Sequence, residues 1–407
     1  MSEVYPTLTA LFTDIADAIR ETTGDNDLII ADDFPDLIRD RLEIAPPKPY
    51  LTFKSPSSFT LKVNDTTKHW NGTIEYSTDA STWTAWNGTT TLSSDTSGSK
   101  NVLYLRGTGN TKIAGSSNYR WTLTGSDISC IGNIENLLDY ATVASGNHPT
   151  MARNCYTRMF SGCTSLIKAP ALPATTLAVG CYNGMFYGCT SLIKAPALPA
   201  TTLAESCYND MFYGCTSLTQ APALPATTLA DRCYNNMFNG CTSLTQAPAL
   251  PATTLAYRCY QYMFKDCTSL TQAPALPATT LADRCYQHMF NGCTSLTQAP
   301  ALPATTLDIY CYSSMFQGCT ALTQAPSLPA TTLADNCYGG MFSGCKYLKL
   351  STTQTGEYTV EYRIPTTGTG TTASNALSNM FKSTGGTFKG TPEINTTYYL
   401  SNTNTIV

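Results

Sequence analysis

The sequence predicts an α+β chain whose largest part is a solenoid, one short strand plus one helix per 26-residue coil, preceded by a small helical module and an antiparallel β-sandwich. Three observations carry this reading. First, a unit such as "CYQYMFKDCTSLTQAPALPATTLADR" (259–284) recurs eight times at a 26-residue spacing between 155 and 350, and a fixed period of that size marks a stack of supersecondary units. Second, "TTLADRCYQHMFNGC" (279–293) pairs Thr280 with Asp283, a capping-box pattern repeated at Thr202/Glu205, Thr228/Asp231 and Thr332/Asp335, and carries Gly292 where a helix commonly stops. Third, short runs in 50–126 alternate apolar and polar residues between Asn, Gly, Asp and Ser clusters, as strands of a small sandwich do.

Residues 1–44 read as two short helices, an attachment or oligomerisation module. In the first, Leu8, Leu11, Phe12, Ile15 and Ile19 recur at helical spacing. The second opens near Pro35 and continues through Leu37, Ile38 and Leu42. "APPKP" (45–49) is a stiff linker. The sandwich spans 50–126 and holds Trp70, Trp83, Trp86 and Trp121. These are core and edge aromatics or, in part, a sugar-stacking platform. Residues 127–154 cap the first coil, with a helix around "NIENLLDY". Repeats fill 155–350. Residues 351–407 form a C-terminal cap containing a worn ninth repeat, in which Met380 and Phe381 keep the "MF" while Ala376 and Thr384 replace the two cysteines. Divergent terminal units are expected, since the last coil faces water.

On a wheel of about 100° per residue, the first Cys, Tyr, Met, Phe and second Cys of each unit fall within one arc of about 140°. The edited letters fall on the opposite side. Each copy therefore supplies a buried face that must match its neighbours, and only the outward side is free to change.

Sixteen of the 17 cysteines form two rows: Cys155, Cys181, Cys207, Cys233, Cys259, Cys285, Cys311 and Cys337, and Cys163, Cys189, Cys215, Cys241, Cys267, Cys293, Cys319 and Cys345. The C-x7-C spacing lacks the close pairs of zinc sites, and His288 is the one histidine in the repeats. A bond along a helix would span about 12 Å, beyond disulfide reach. Bonds between adjacent coils stay open. The main expectation is a ladder of small buried thiols.

Net charge is −4 with 13% charged residues, which argues against nucleic-acid binding. No apolar run approaches the length of a membrane span, and the N-terminus carries no recognisable export signal. His69, His148 and His288 with scattered acids assemble no catalytic set, so neither an enzyme nor a cofactor is expected.

The unit 267–293 resembles the BspA-like leucine-rich repeat family. Cys293, Leu296, Ala299, Pro303, Phe316 and Cys319 stand in that family's C-x-x-L…P…F-x-x-C pattern. The 26-residue length exceeds the usual unit. The resemblance covers 155–350 and implies a curved solenoid with short strands on its concave face. "IADAIRETTGDNDLIIADDFPDLI" (15–38) is similar to a short module recurrent in tail and tail-fibre proteins of phages infecting gut bacteria.

Together these imply a non-enzymatic phage tail-fibre or tail-tip adhesin in the virion, made in the host cytoplasm. Its partners would be a bacterial surface receptor, glycan or protein, and other tail proteins reached through 1–44, with a homo-oligomer open. A bacterial cell-surface adhesin and a ligand-free virion spacer are the alternatives. Two surfaces compete for the receptor. One is the repeated polar row after the repeat leucines: Gln220, Gln246, Gln272 and Gln298, headed by "IK" in the first copies. The other is the varied row of Arg232, Tyr257, Arg258, Tyr262, Arg284, His288 and Tyr310, whose Tyr and Arg content suits binding hot spots. The varied row is the expected site.

Overall fold

The computed structural model describes residues 48–64, 69–94, 101–114, 120–364 and 373–407. All the elements below lie in one compact unit, Pro49–Val407. The two helices expected in 1–44 lie outside the described residues.

Eight strands precede the repeats: β1 (Leu51–Lys54), β2 (Thr60–Val63), β3 (Thr73–Ser77), β4 (Thr84–Ala85), β5 (Leu92–Ser93), β6 (Val102–Thr108), β7 (Trp121–Thr124) and β8 (Ile128–Ile131). They form two antiparallel sheets, β5-β2-β7 and β4-β3-β6-β1-β8. The second extends in parallel onto β9 (Leu166–Lys168) of the first repeat. Burial alternates along the strands, as in β6, where Leu103 and Leu105 point inward and Tyr104 and Arg106 outward. Trp70, Trp86 and Trp121 are buried and touch in sequence, and Trp121 meets Phe160 of the first coil edge-on at 6.2 Å. Three of the four tryptophans are thus core, and that core runs into the repeats without a break.

The helix α1 (Asn136–Ala144) follows β8 and lies against β6. Asp139 interrupts it with extended backbone (φ −153°), and its carboxylate accepts N–H bonds from Gly109 and Thr142. Those bonds hold the Asp139 carboxyl below its usual range.

The repeats do stack at 26-residue intervals, but the expected helix in each coil does not form. The cysteine segments are chains of tight turns. From Cys285 to Cys293, alternate N–H groups donate to the carbonyl three residues back (Gln287 to Arg284, Met289 to Tyr286). The intervening ones donate to the next coil (Tyr286 to Cys311, His288 to Ser313, Phe290 to Met315). Every fourth residue is left-handed: Arg284 (φ 55°), His288 (φ 56°) and Gly292 (φ 77°). The physical reason is spacing. Tyrosine rings stack at 5.5–5.9 Å from Tyr156 to Tyr338. Phenylalanine rings stack at 5.5–5.8 Å from Phe160 to Phe381. Packed helices need about 8–10 Å between axes, so no helix fits into coils this close. A turn chain that sends half its donors to the neighbouring coil does fit.

The polar side is also narrower than a sheet. Gln246, Gln272 and Gln298 pair in parallel by single bridges, as do Lys168, Lys194 and Gln220. Two prolines per coil remove backbone donors and confine the pairing.

Six later strands close the stack. Of these, β10 (Gln324–Ala325) pairs in parallel with β15 (Thr405–Ile406). The strands β11 (Lys349–Ser351), β12 (Tyr358–Arg363), β13 (Gly385–Gly386) and β14 (Thr397–Ser401) form a sheet ordered β12-β14-β11-β13. Residues 374–384 make one more turn chain on the last coil. Tyr338, Gly340, Phe342 and Gly344 donate to Ala376, Ser378, Met380 and Lys382.

Candidate recognition surface

The turn chain fixes which side chains face outward. With the first Cys as origin, buried pairs fall at positions 0–1 and 4–5 and a further Cys at 8, a four-residue period that leaves two residues between pairs turned out. All seventeen cysteines are buried and unpaired. From Cys189 onward, second-row thiols donate to the Phe carbonyl of the preceding coil, as Cys241 does to Phe212 at 3.1 Å and Cys293 to Phe264 at 3.0 Å, while Cys163 donates to the Trp121 carbonyl. Burial pushes the Cys207 and Cys259 thiols up to about 12. The thiolate is the nucleophile and metal ligand, so burial holds these rows in the unreactive thiol form, packed as small apolar side chains.

The seven expected receptor-binding residues all stand on the half-buried outward rows of four successive coils. The Tyr257 ring lies between two guanidinium groups, Arg232 at 4.9 Å and Arg258 at 4.8 Å. Arg284 covers Tyr310 at 4.6 Å and donates from Nη1 to both Asp283 oxygens at 2.9 and 2.7 Å. Arg258 also acts electrostatically on Asp283, so that carboxylate joins the two groups; burial leaves its pKa raised, with Arg284 opposing. Tyr262 and His288 stack at 4.8 Å on the row after the Cys-Tyr pair. Burial first, then Lys265, pushes His288 down to about 4, so the imidazole is neutral at pH 7. Arg258 Nε is buried with no hydrogen-bond partner among the described residues.

A further group of the same kind was not singled out from the sequence. Arg158 covers Tyr187 at 4.7 Å, Tyr187 stacks on Tyr213 at 4.6 Å with parallel planes, and Arg158 approaches Asp210 at 3.8 Å. Its signal was available in "MFYG", where two adjacent copies place Tyr after the constant Phe. Beneath these rows, Asn235 donates to Gln261, and Gln261 to Gln287, an amide ladder bonding coil to coil.

The competing Gln220, Gln246, Gln272 and Gln298 are exposed on the other side of the coil. Trp83, the fourth tryptophan, is half-buried with the Arg106 guanidinium 4.1 Å from its ring and Tyr50 at 5.7 Å. Among the described residues no group of three or more His, Cys, Asp or Glu is placed to hold a metal ion, and no helix is long and apolar enough to cross a membrane.

A family model, "BspA type Leucine rich repeat region (6 copies)", matches residues 153–297 and 231–362. No curated protein and no solved structure matches the chain.

Proposed function

From the chain's membership of the BspA-type leucine-rich repeat family, a family whose repeats suggest surface adhesion or protein binding, we propose that it is a non-enzymatic attachment protein. Its repeat solenoid would grip a bacterial surface receptor through the turn face of the coils around 232–310. The observation that carries this reading is backbone strain. Arg232, Arg258, Tyr262, Arg284, His288 and Tyr310 all hold left-handed φ between 53° and 58°. Most other copies place a smaller residue at the same positions, Gly, Asn, Asp or Ser, of which Gly and to a degree Asn and Asp suit that conformation; Arg158 (φ 54°) is the exception. Bulky residues kept in strained backbone cluster at functional sites. Their types, Arg and Tyr, dominate binding energetics elsewhere. The buried Arg258 Nε is a donor still to be satisfied.

The virion setting rests on the N-terminal resemblance: a tail-fibre or tail-tip position, with 1–44 holding the other tail proteins. A bacterial cell-surface adhesin is the second reading, compatible with the adhesion or protein-binding role that such repeats suggest. Antibody labelling of purified virions against host envelopes separates the two.

The functional test is a pair of surface variants. Changing Tyr257, Arg258, Tyr262, Arg284 and His288 to Ser should lower adsorption to host cells at least a hundredfold. Changing Gln220, Gln246, Gln272 and Gln298 to Ser should leave it intact. The reverse pattern moves the site to the polar row, and no loss in either variant removes both of these surfaces from recognition.

A further inference from the structure

A second surface is unlike the turn face in every respect. "APALPATTL" occurs unchanged in six copies, from 169–177 to 299–307, and with one change in 325–333. Its buried members, such as Leu224 and Ala226, are fixed by packing. Its exposed members Ala223, Pro225, Thr227 and Thr228 touch no core, yet across the seven copies only the Ala223 position changes, to Ser327 in the last. Proline has a conformational reason to persist; exposed alanine and threonine have none. The age of the copies does not explain it either, because the same copies have diverged on the turn face.

Geometry says what the face offers. Thr228 pairs with Thr254 and Thr280 with Thr306 by parallel bridges, so the rows run in register along the stack. Bridged strands lie about 4.8 Å apart, and each hydroxyl and methyl recurs at that interval. The hydroxyls of Thr227, Thr253, Thr279 and Thr305 make no hydrogen bond among the described residues. No charged residue interrupts "APALPATTL" in any copy. The rows are held by ring stacks and prolines, so a ligand meets a preorganised surface.

We propose that this face binds a neutral polysaccharide laid along the stack. The absence of charge selects an uncharged chain. Alternating hydroxyls and apolar Ala and Pro surface match the hydroxyls and C–H faces of sugars. Identical weak contacts, coil after coil, favour a ligand that is itself repetitive and gains by multivalency. The proposal is independent of the turn-face reading.

The test uses the full chain against immobilised mannan, dextran and a β-glucan, with hyaluronate as the charged control. At least one neutral polymer should retain the protein, hyaluronate should not, and a tetrasaccharide of the retained polymer should bind at least tenfold more weakly. Changing Thr227, Thr253, Thr279 and Thr305 to Val should weaken retention at least tenfold with an unchanged melting temperature. The turn-face variant should be retained as well as the parent. Retention of none of the neutral polymers, equal binding of the tetrasaccharide, or indifference to the Val changes would overturn the proposal. So would sedimentation showing that the face pairs two copies of this chain instead, with the dimer lost when the same threonines become Lys.

Discussion

Left-handed backbone is held by arginine, tyrosine and histidine at seven turn-face positions, Arg158 and the six from Arg232 to Tyr310, where glycine would fit without strain. An L side chain in that region costs roughly 1–2 kcal/mol. Part of this is offset by ring and guanidinium contacts with the next coil, at about 0.5–1 kcal/mol for exposed pairs. Arg232 and Tyr310 are at the ends of their groups, each with one such partner named above. Replacing either by Gly should therefore raise stability by about 0.5–1 kcal/mol, read as a higher denaturation midpoint with an unchanged slope. The same change at Tyr262 or Arg258 should lower adsorption. If Gly destabilises Arg232 and Tyr310, the strain argument for the turn face fails with it. In the sequence these residues were visible as variation and as hot-spot types; their strain was not, because it depends on the turn chain.

The turn chain resembles a helix in the sequence for a definable reason. A four-residue period and a 3.6-residue period differ by only about 10° per residue, too little to separate over nine positions. The better signal was glycine: Gly180, Gly184 and Gly188 recur every fourth residue within a segment assigned to a helix, and glycine is unfavourable in a helix interior. Capping-box pairs such as Thr280/Asp283 were real sequence patterns with another use. The 26-residue period, the inward Cys, Tyr, Met, Phe and Leu, and the outward edited positions were legible, since burial follows the same letters in either geometry. This ladder has a pH signature. Thiols with an ordinary value near 9.0 are pushed to about 12 at Cys207 and Cys259 and to about 11 at Cys337. The folded state keeps its protons while the unfolded chain loses them, so this contribution is complete below pH 9 and is lost as pH rises toward the folded values. Each thiol contributes a slope of up to about 1.4 kcal/mol per pH unit in that window. Stability measured by denaturant should hold from pH 7 to 8.5 and fall steeply between 9 and 11. A flat profile to pH 11 would mean the thiols are not buried.

At the scale of the molecule, a stack of identical coils has a difficulty at each end: the last coil presents unpaired donors and acceptors in the form most able to join another copy. The first end is closed by the sandwich. Ile113 and Ala114 donate to Cys155, Trp121 donates to Met159, and β8 pairs with β9. The other end is closed in two pieces. Residues 374–384 cover the turn face. On the polar side β15 becomes the next rung: Thr405 donates to Thr323, Val407 to Ala325, and Ser327 back to Val407. Asn404, buried, locks that rung, accepting from Lys349 N–H and donating to the carbonyls of Thr323 and Tyr347. Little in the sequence announces this, because "NTNTIV" lacks the repeat pattern and its role depends on contacts more than 80 residues away. Deleting 402–407 should uncover the edge of β10 while leaving the ring stacks from Tyr156 to Tyr338 in place. The shortened protein should keep its circular dichroism but associate with rising concentration in sedimentation, and Gln324→Lys in the same background should restore the monomer by charging the edge. A truncated protein that stays monomeric across the range, or one that Gln324→Lys does not rescue, would show that β15 serves only to fill the fold and not to guard its end.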